Sequence, residues 1–99
     1  MAVLEVTLVP IGTQTTSCSS FVAKAFDVVK DREDIKVQLN PMGTVLEGDI
    51  DVLFDAVRCM QEAVFKEGAG RVYSIIKVDD RRDKVASLEQ KIQSVQAKL

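Results

Sequence analysis

The segment VLEVTLVP, Val3 to Pro10, alternates: Leu4, Val6 and Leu8 fall on one side, Glu5, Thr7 and Val9 on the other. That is the two-residue period of a strand with one buried face. Pro10 and Gly12 punctuate it. The hydroxyl-rich stretch GTQTTSCSS, Gly12 to Ser20, suits the capping of a helix start. Cys18, Phe21, Val22, Ala25, Phe26 and Val29 then recur at i, i+3, i+4 and i+7, which predicts an amphipathic helix. After the charged link KDRED, IKVQLN alternates again, with Val37 and Leu39 against Lys36, Gln38 and Asn40. NPMG follows, in which Pro41 has a fixed backbone angle and Gly43 can take a positive one, so a hairpin into TVLEG is expected.

Gly48 and Asp49 stop that strand and offer a helix cap. Ile50, Leu53, Phe54, Val57, Met60 and Val64 form the apolar stripe of a second helix, with acids in its first turn where the helix dipole favours them. GAG, Gly68 to Gly70, ends it. RVYSIIKVDD reads as a fourth strand. In RRDKVASLEQKIQSVQAKL, Val85, Leu88, Ile92, Val95 and Leu99 are spaced as a narrow heptad-type seam, which can pack back on its own domain or against another subunit. The order β–α–β–β–α–β–α predicts an α+β fold, a ferredoxin-like βαββαβ sandwich with an additional C-terminal helix, as one domain over residues 1–99. This topology puts two helices on one sheet face. Glu5, Thr7, Val9, Gln38 and Asn40 then lie on the other, a face too apolar to stay wholly wet and too polar for a plain core. Subunit pairing through that face is expected.

Composition removes several function classes. With 46% hydrophobic and 28% charged residues the chain is ordinary globular. No run approaches the roughly 20 apolar residues that cross a bilayer, and the amino-terminal segment lacks the form of a signal peptide, so a cytoplasmic protein without membrane contact is expected. A net charge of −2 with scattered Lys and Arg provides no field for nucleic acid. The absence of histidine removes the commonest neutral-pH base and metal ligand, which points away from an enzyme and from a resident metal. Cys18 and Cys59, each in a helical segment without a second ligand at metal spacing, are expected to be buried free thiols.

The remaining chemistry is sparse. GTQTTSCSS could hold an anion, although no Lys follows a second Gly as a phosphate loop requires; Ser17 and Ser19 either cap the helix or reach a ligand. Glu47 interrupts an apolar strand directly before Gly48. It could cap the following helix, pair with Arg71, or accept hydrogen bonds from an amino-bearing ligand. Thr44 stands three residues earlier, so both reach one ligand only if a turn or bulge rotates one of them. Glu5 is a mid-strand acid on the second face, Tyr73 could stack on a heterocycle, and DDRRDK, Asp79 to Lys84, reads as a solvated link with mutual ion pairs.

VPIGTQTTSCSSFVA, MGTVLEG and RV…RRDK, in this order over a βαββαβα chain, resemble the small thiamine-binding (YkoF-like) family. The likeness extends over nearly the whole chain, with matches at Pro10, Gly12, Thr13, Ser17, Ser19, Gly43, Thr44, Glu47, Gly48, Arg71, Arg81, Asp83 and Lys84. It implies sheet-to-sheet assembly into homodimers and homotetramers, and non-enzymatic binding of thiamine or its hydroxymethylpyrimidine portion. An aminopyrimidine needs paired donors and acceptors, which Thr44, Glu47, Asn40 and the Ser17–Ser19 segment could supply, with Glu5 as counter-charge to a thiazolium. Met42 or Leu46 could press on the ring. The competing expectation is a structural or regulatory homo-oligomeric module, joined through the open sheet face and the last helix, without a small-molecule ligand.

Overall fold

The computed structural model describes residues 1–84 and 87–99; Val85, the first position of the heptad-type seam, lies outside the described residues. Its elements are β1 (Ala2–Ile11), α1 (Ser19–Asp27), β2 (Ile35–Asn40), β3 (Gly43–Gly48), α2 (Ile50–Lys66), β4 (Arg71–Asp80) and α3 (Leu88–Gln96). The strands form one antiparallel sheet in the order β2-β3-β1-β4. This is the ferredoxin-like α+β arrangement that the alternation predicts.

Burial follows the pleat. On the inner face Leu4 sits between Leu46 and Val78, and Val6 between Thr44 and Ile76. Leu4, Val6 and Leu46 are closed off there with Phe21, Ala25 and Val29 of the first helical segment and Leu53, Val57, Met60 and Val64 of α2. Phe54, read as part of the α2 stripe, stands at its edge and is exposed. Pro10 lies in the part of β1 beyond the β3 pairing, which runs only to Val6, where a missing N–H costs no ladder bond on that side.

The turns differ in detail from their expected chemistry. Of the glycines only Gly12 and Gly68 have positive φ, so the Pro41–Met42 turn needs no left-handed residue. Gly43 suits its place for another reason: a Cβ there would be crowded, meeting Thr7 Oγ1 at 3.0 Å and the Val6 carbonyl at 3.3 Å. The Thr7 hydroxyl donates to the Met42 carbonyl at 2.9 Å, which ties the hairpin turn to β1. At the end of α2, Gly68 (φ 119°) allows its own N–H to reach the Phe65 carbonyl and the Ala69 N–H to reach Val64. That is a Schellman cap, closed by the buried Ala69.

The helix starts also depart from the hydroxyl-cap expectation. Cys18 and Asp49 occupy the cap positions of α1 and α2 without a side-chain cap, whereas Ser87 of α3 accepts from the Gln90 N–H. Both cysteines are exposed rather than buried.

Leu46 is 0% exposed and faces Leu4 on one side and Val37 on the other. Leu46→Ala is expected to cost about 2–5 kcal/mol, read as a lowered urea midpoint at unchanged m-value. A loss below about 1 kcal/mol would mean that the sheet centre is not the core.

Candidate functional site

The register of β3 against β1 is continuous from Gly48↔Ala2 to Thr44↔Val6. Without a bulge, Thr44 and Glu47 point to opposite faces. The expected candidates therefore divide between two clefts.

The first cleft, of about 210 Å³, opens on the inner side where α1 passes the hairpin. Phe21, Val22 and Ala25 of α1, Val6 and Leu8 of β1, Leu39 and Met42 of the hairpin and Met60 of α2 form most of its wall. Cys18 stands in the wall beside α1, and Thr44 lines it from β3. Thr44 is only 5% exposed. Among the described residues its hydroxyl makes no hydrogen bond, and it is not sealed from all access. The hydroxyl is therefore reachable from the cleft. Among the described residues no Asp, Glu, Lys or Arg lines the space.

The second cleft, of about 330 Å³, lies on the outer face under α3. Cross-strand rows there run Lys36–Glu47–Val3–Asp79 and Gln38–Val45–Glu5–Lys77. Helix α3 spans both. Glu89 pairs with Lys36, Lys91 with Asp79, and Leu88 is buried. Helix α3 thus rests on its own domain through Leu88 and covers the outer face in part, while Ile92, Val95 and Leu99 of the seam are exposed. Glu5 lines this second cleft and pairs with Lys77 at 3.6 Å. Asn40 borders both clefts, and its side chain accepts from Gln38 at 3.1 Å.

Glu47 is 8% exposed and lines neither cleft. Its pairing with Arg71 is ruled out by register: Glu47 stands beside Val3 and Arg71 beside Ile11, eight positions further along β1, about 26 Å of strand. Ser17 and Ser19 are exposed and bond to each other at 3.1 Å next to Cys18. Tyr73 projects from the outer face, 57% exposed, and Leu46 is sealed in the core. The sheet thus does not bring Thr44, Glu47 and Glu5 to one ligand. Phe21, Val22, Ala25 and Cys18 were visible in the sequence only as a helical stripe; that the stripe also walls a cleft depends on where β3 places Thr44.

The charged link behaves as read. Arg81 pairs with Asp83 and Arg82 with Asp80, and the Arg81 guanidinium lowers the Asp83 carboxyl to about 2. Among the described residues no cluster of His, Cys, Asp or Glu could hold a metal ion, and no helix is long and apolar enough to cross a membrane.

Comparison with known proteins gives consistent results. A family model described as thiamine-binding protein matches residues 4–96. The UPF0045 protein YqgV of Bacillus subtilis is 44% identical over 98 residues, spanning 96% of this chain and 94% of that protein. A UPF0045 protein of Methanothermobacter thermautotrophicus is 42% identical over 100 residues and spans all of both chains. Among solved structures, the hypothetical protein MJ1052 from Methanocaldococcus jannaschii superposes with a TM-score of 0.86 at 38% identity, covering 96% of this chain and 95% of that one.

The clamp on α3 carries a pH signature. Lys36 lowers the Glu89 carboxyl below its ordinary 4.5, first through their hydrogen bond, and Glu89 raises Lys36 above 10.5. The stabilisation from Glu89 is therefore complete above 4.5 and lost as pH falls through its lowered value. That from Lys36 is complete below 10.5 and lost as pH rises through its raised value. Amide exchange in α3, corrected for intrinsic rates, should be flat between 4.5 and 10.5 and accelerate outside that window before the β1 amides do. Uniform acceleration of α3 and β1 would contradict a clamp specific to the helix.

Proposed function

Since the chain belongs to the thiamine-binding protein family, we propose that it binds thiamine or its hydroxymethylpyrimidine moiety, without catalysis, in the first cleft. The observation that carries this reading is Thr44, a buried residue whose hydroxyl has no partner among the described residues and is reachable at the wall of a cleft lined mainly by apolar groups, with Thr7, Asn40 and Cys18 also in the lining. A hydroxyl can donate to a ring nitrogen or accept from an exocyclic amine, while Phe21, Val22 and Met42 enclose the ring faces. The same lining argues for binding rather than turnover. It carries neither a carboxylate nor a basic side chain to move a proton, and its one thiol has no base beside it in the cleft wall.

The proposal takes the protein to be a cytoplasmic homodimer or homotetramer. Support lies on the part of the outer face that α3 leaves open, where Val9, Ile11, Tyr73 and Ile75 are exposed together, and on α3 itself, where Ile92, Val95 and Leu99 are exposed. That apolar surface also favours a second reading, a homo-oligomeric interaction module with no small-molecule ligand. Titration calorimetry separates the two. Saturable heat with thiamine or hydroxymethylpyrimidine at one site per chain is expected, and no heat from either at micromolar sensitivity would sink the ligand proposal and leave the module. Light scattering should return a mass of at least two chains; a monomer at working concentration would remove the assembly from both readings.

A further inference from the structure

We infer that the free edge of β4 pairs with the same edge of a second copy, antiparallel about a two-fold axis at Ile75, so that two four-stranded sheets run on as one. The inference rests on the homo-oligomeric part of the reading above. It names a surface and a register that neither the outer face nor α3 supplies.

The two edges of the sheet are unlike. β2 is six residues long, its Lys36 pairs with Glu89 of α3, and Pro41 follows its last residue. Short, charged edges of this kind resist pairing with other chains. β4, in contrast, runs ten residues, each opposite a residue of β1, with neither proline nor bulge. In the sheet it has a neighbour on one side only, so its outward N–H and C=O groups lack a strand to pair with. Ile75, Ile76, Lys77, Val78, Asp79 and Asp80 are all exposed, whichever face each takes. Helix α2 extends the apolar border. Its Gln61 bonds to Ser74 of β4, and Phe54 and Phe65, at i−7 and i+4 from Gln61, lie on the same side of the helix and are exposed. Phe54, Phe65, Ile76 and Val78 thus line the open edge on the inner side.

Charge selects the partner and the register. In an antiparallel pair directly opposed residues share a face, so a two-fold axis normal to the sheet passes through a residue position. Arg71, Tyr73, Ile75, Lys77 and Asp79 share the outer face with Glu5, Thr7 and Val9. With the axis at Ile75, Arg71 stands opposite Asp79, Tyr73 opposite Lys77, and Ile75 opposite its own copy. On the inner face Val72 meets Val78 and Ser74 meets Ile76. Opposite charges, an aromatic ring beside an ammonium, and aliphatic pairs all favour this contact. Shifting the axis to Ser74 sets Arg71 against Lys77, two cations; shifting it to Ile76 leaves Arg71 without a partner and sets Lys77 against Ile75. Of these three registers only the first is complementary throughout. A strand that complements itself selects a second copy of this chain over an unrelated strand. The pairs already present are kept, since Glu5 stays beside Lys77 and Lys91 beside Asp79, and a carboxylate accepts several hydrogen bonds.

The test uses the full chain and positions on the inner face, which packing through the outer face cannot bring together. A variant carrying both Ser74→Cys and Ile76→Cys, oxidised and mapped by non-reducing peptide mass spectrometry, should form a covalent dimer through these two positions rather than through the native Cys18 or Cys59. Directly opposed residues have Cα atoms about 4.5–5.5 Å apart, within disulfide reach. Ile76→Cys alone, whose two copies would be offset along the strands, should stay uncross-linked. Ile76 is exposed, so Ile76→Lys is expected to fold, and it should weaken association at least about tenfold in sedimentation. A wild-type mass of two or more chains that Ile76→Lys leaves unmoved, no cross-link in the double variant, or a cross-link from Ile76→Cys alone would each overturn the inference while leaving assembly through the outer face standing. A monomeric wild type would overturn both.

Discussion

The structure depends on the unbroken pairing of β3 with β1. Five consecutive residues of β3 face five of β1 without a bulge, so side chains alternate strictly between a helix-covered face and an outer face. One slipped residue would exchange Thr44 and Leu46 for Val45 and Glu47, placing an acid in the core and opening the cleft wall. Gly43 and Thr7 guard against that slip. Gly43 lets β1 approach closely enough that a Cβ would be crowded against Thr7 and the Val6 carbonyl, and Thr7 ties the turn to β1 by a hydrogen bond. Register, turn and cleft are consequences of one constraint.

The outer face shows the cost of a two-layer fold with a mixed second surface. Its rows alternate charge and aliphatic groups, and α3 covers only part of them, through Leu88 and two exposed ion pairs. Exposed pairs contribute little each, so this helix is held more lightly than α1 and α2, whose apolar faces are closed into the core. Beside α3 stands the buried Glu47, whose cross-strand neighbour Lys36 pairs with Glu89 of the helix. The apolar end of the face around Tyr73 and Ile75 stays uncovered.

Much of this was legible in the sequence. Strand alternation around Leu4, Val6 and Leu8, the stripe of Leu53, Val57, Met60 and Val64, and the Asn40–Gly43 turn each follow from local periodicity or turn chemistry, and together they determine the topology. The split of Thr44 from Glu47 was legible too, as a condition on whether β3 is regular. Other features depend on tertiary placement. The exposure of Cys18 and Cys59 turns on where each helix presents its edge, and the need for glycine at position 43 comes from β1, not from the turn. Ser17 and Ser19 look like caps in isolation, yet the cap position falls on Cys18 between them, which has no side-chain cap, and Ser19 is already the first residue of α1.

The cleft is also a statement about what the core forgoes. Ala25 and Thr44 are small where α1 crosses the hairpin, and both are buried at the wall of an open space. A larger aliphatic residue at either position would fill that space and gain dispersion contacts and apolar burial. Interiors ordinarily close such gaps, and a sequence selected for stability alone has simple substitutions by which to do so. Thr44 also brings a hydroxyl to that wall, reachable from the cleft and without a protein partner among the described residues. A small side chain on α1 and a reachable hydroxyl on β3 therefore meet at one open space. The register that holds β3 does not itself require a hydroxyl at position 44, since it is set by backbone pairing and by the apolar neighbours Leu4, Val6 and Leu46.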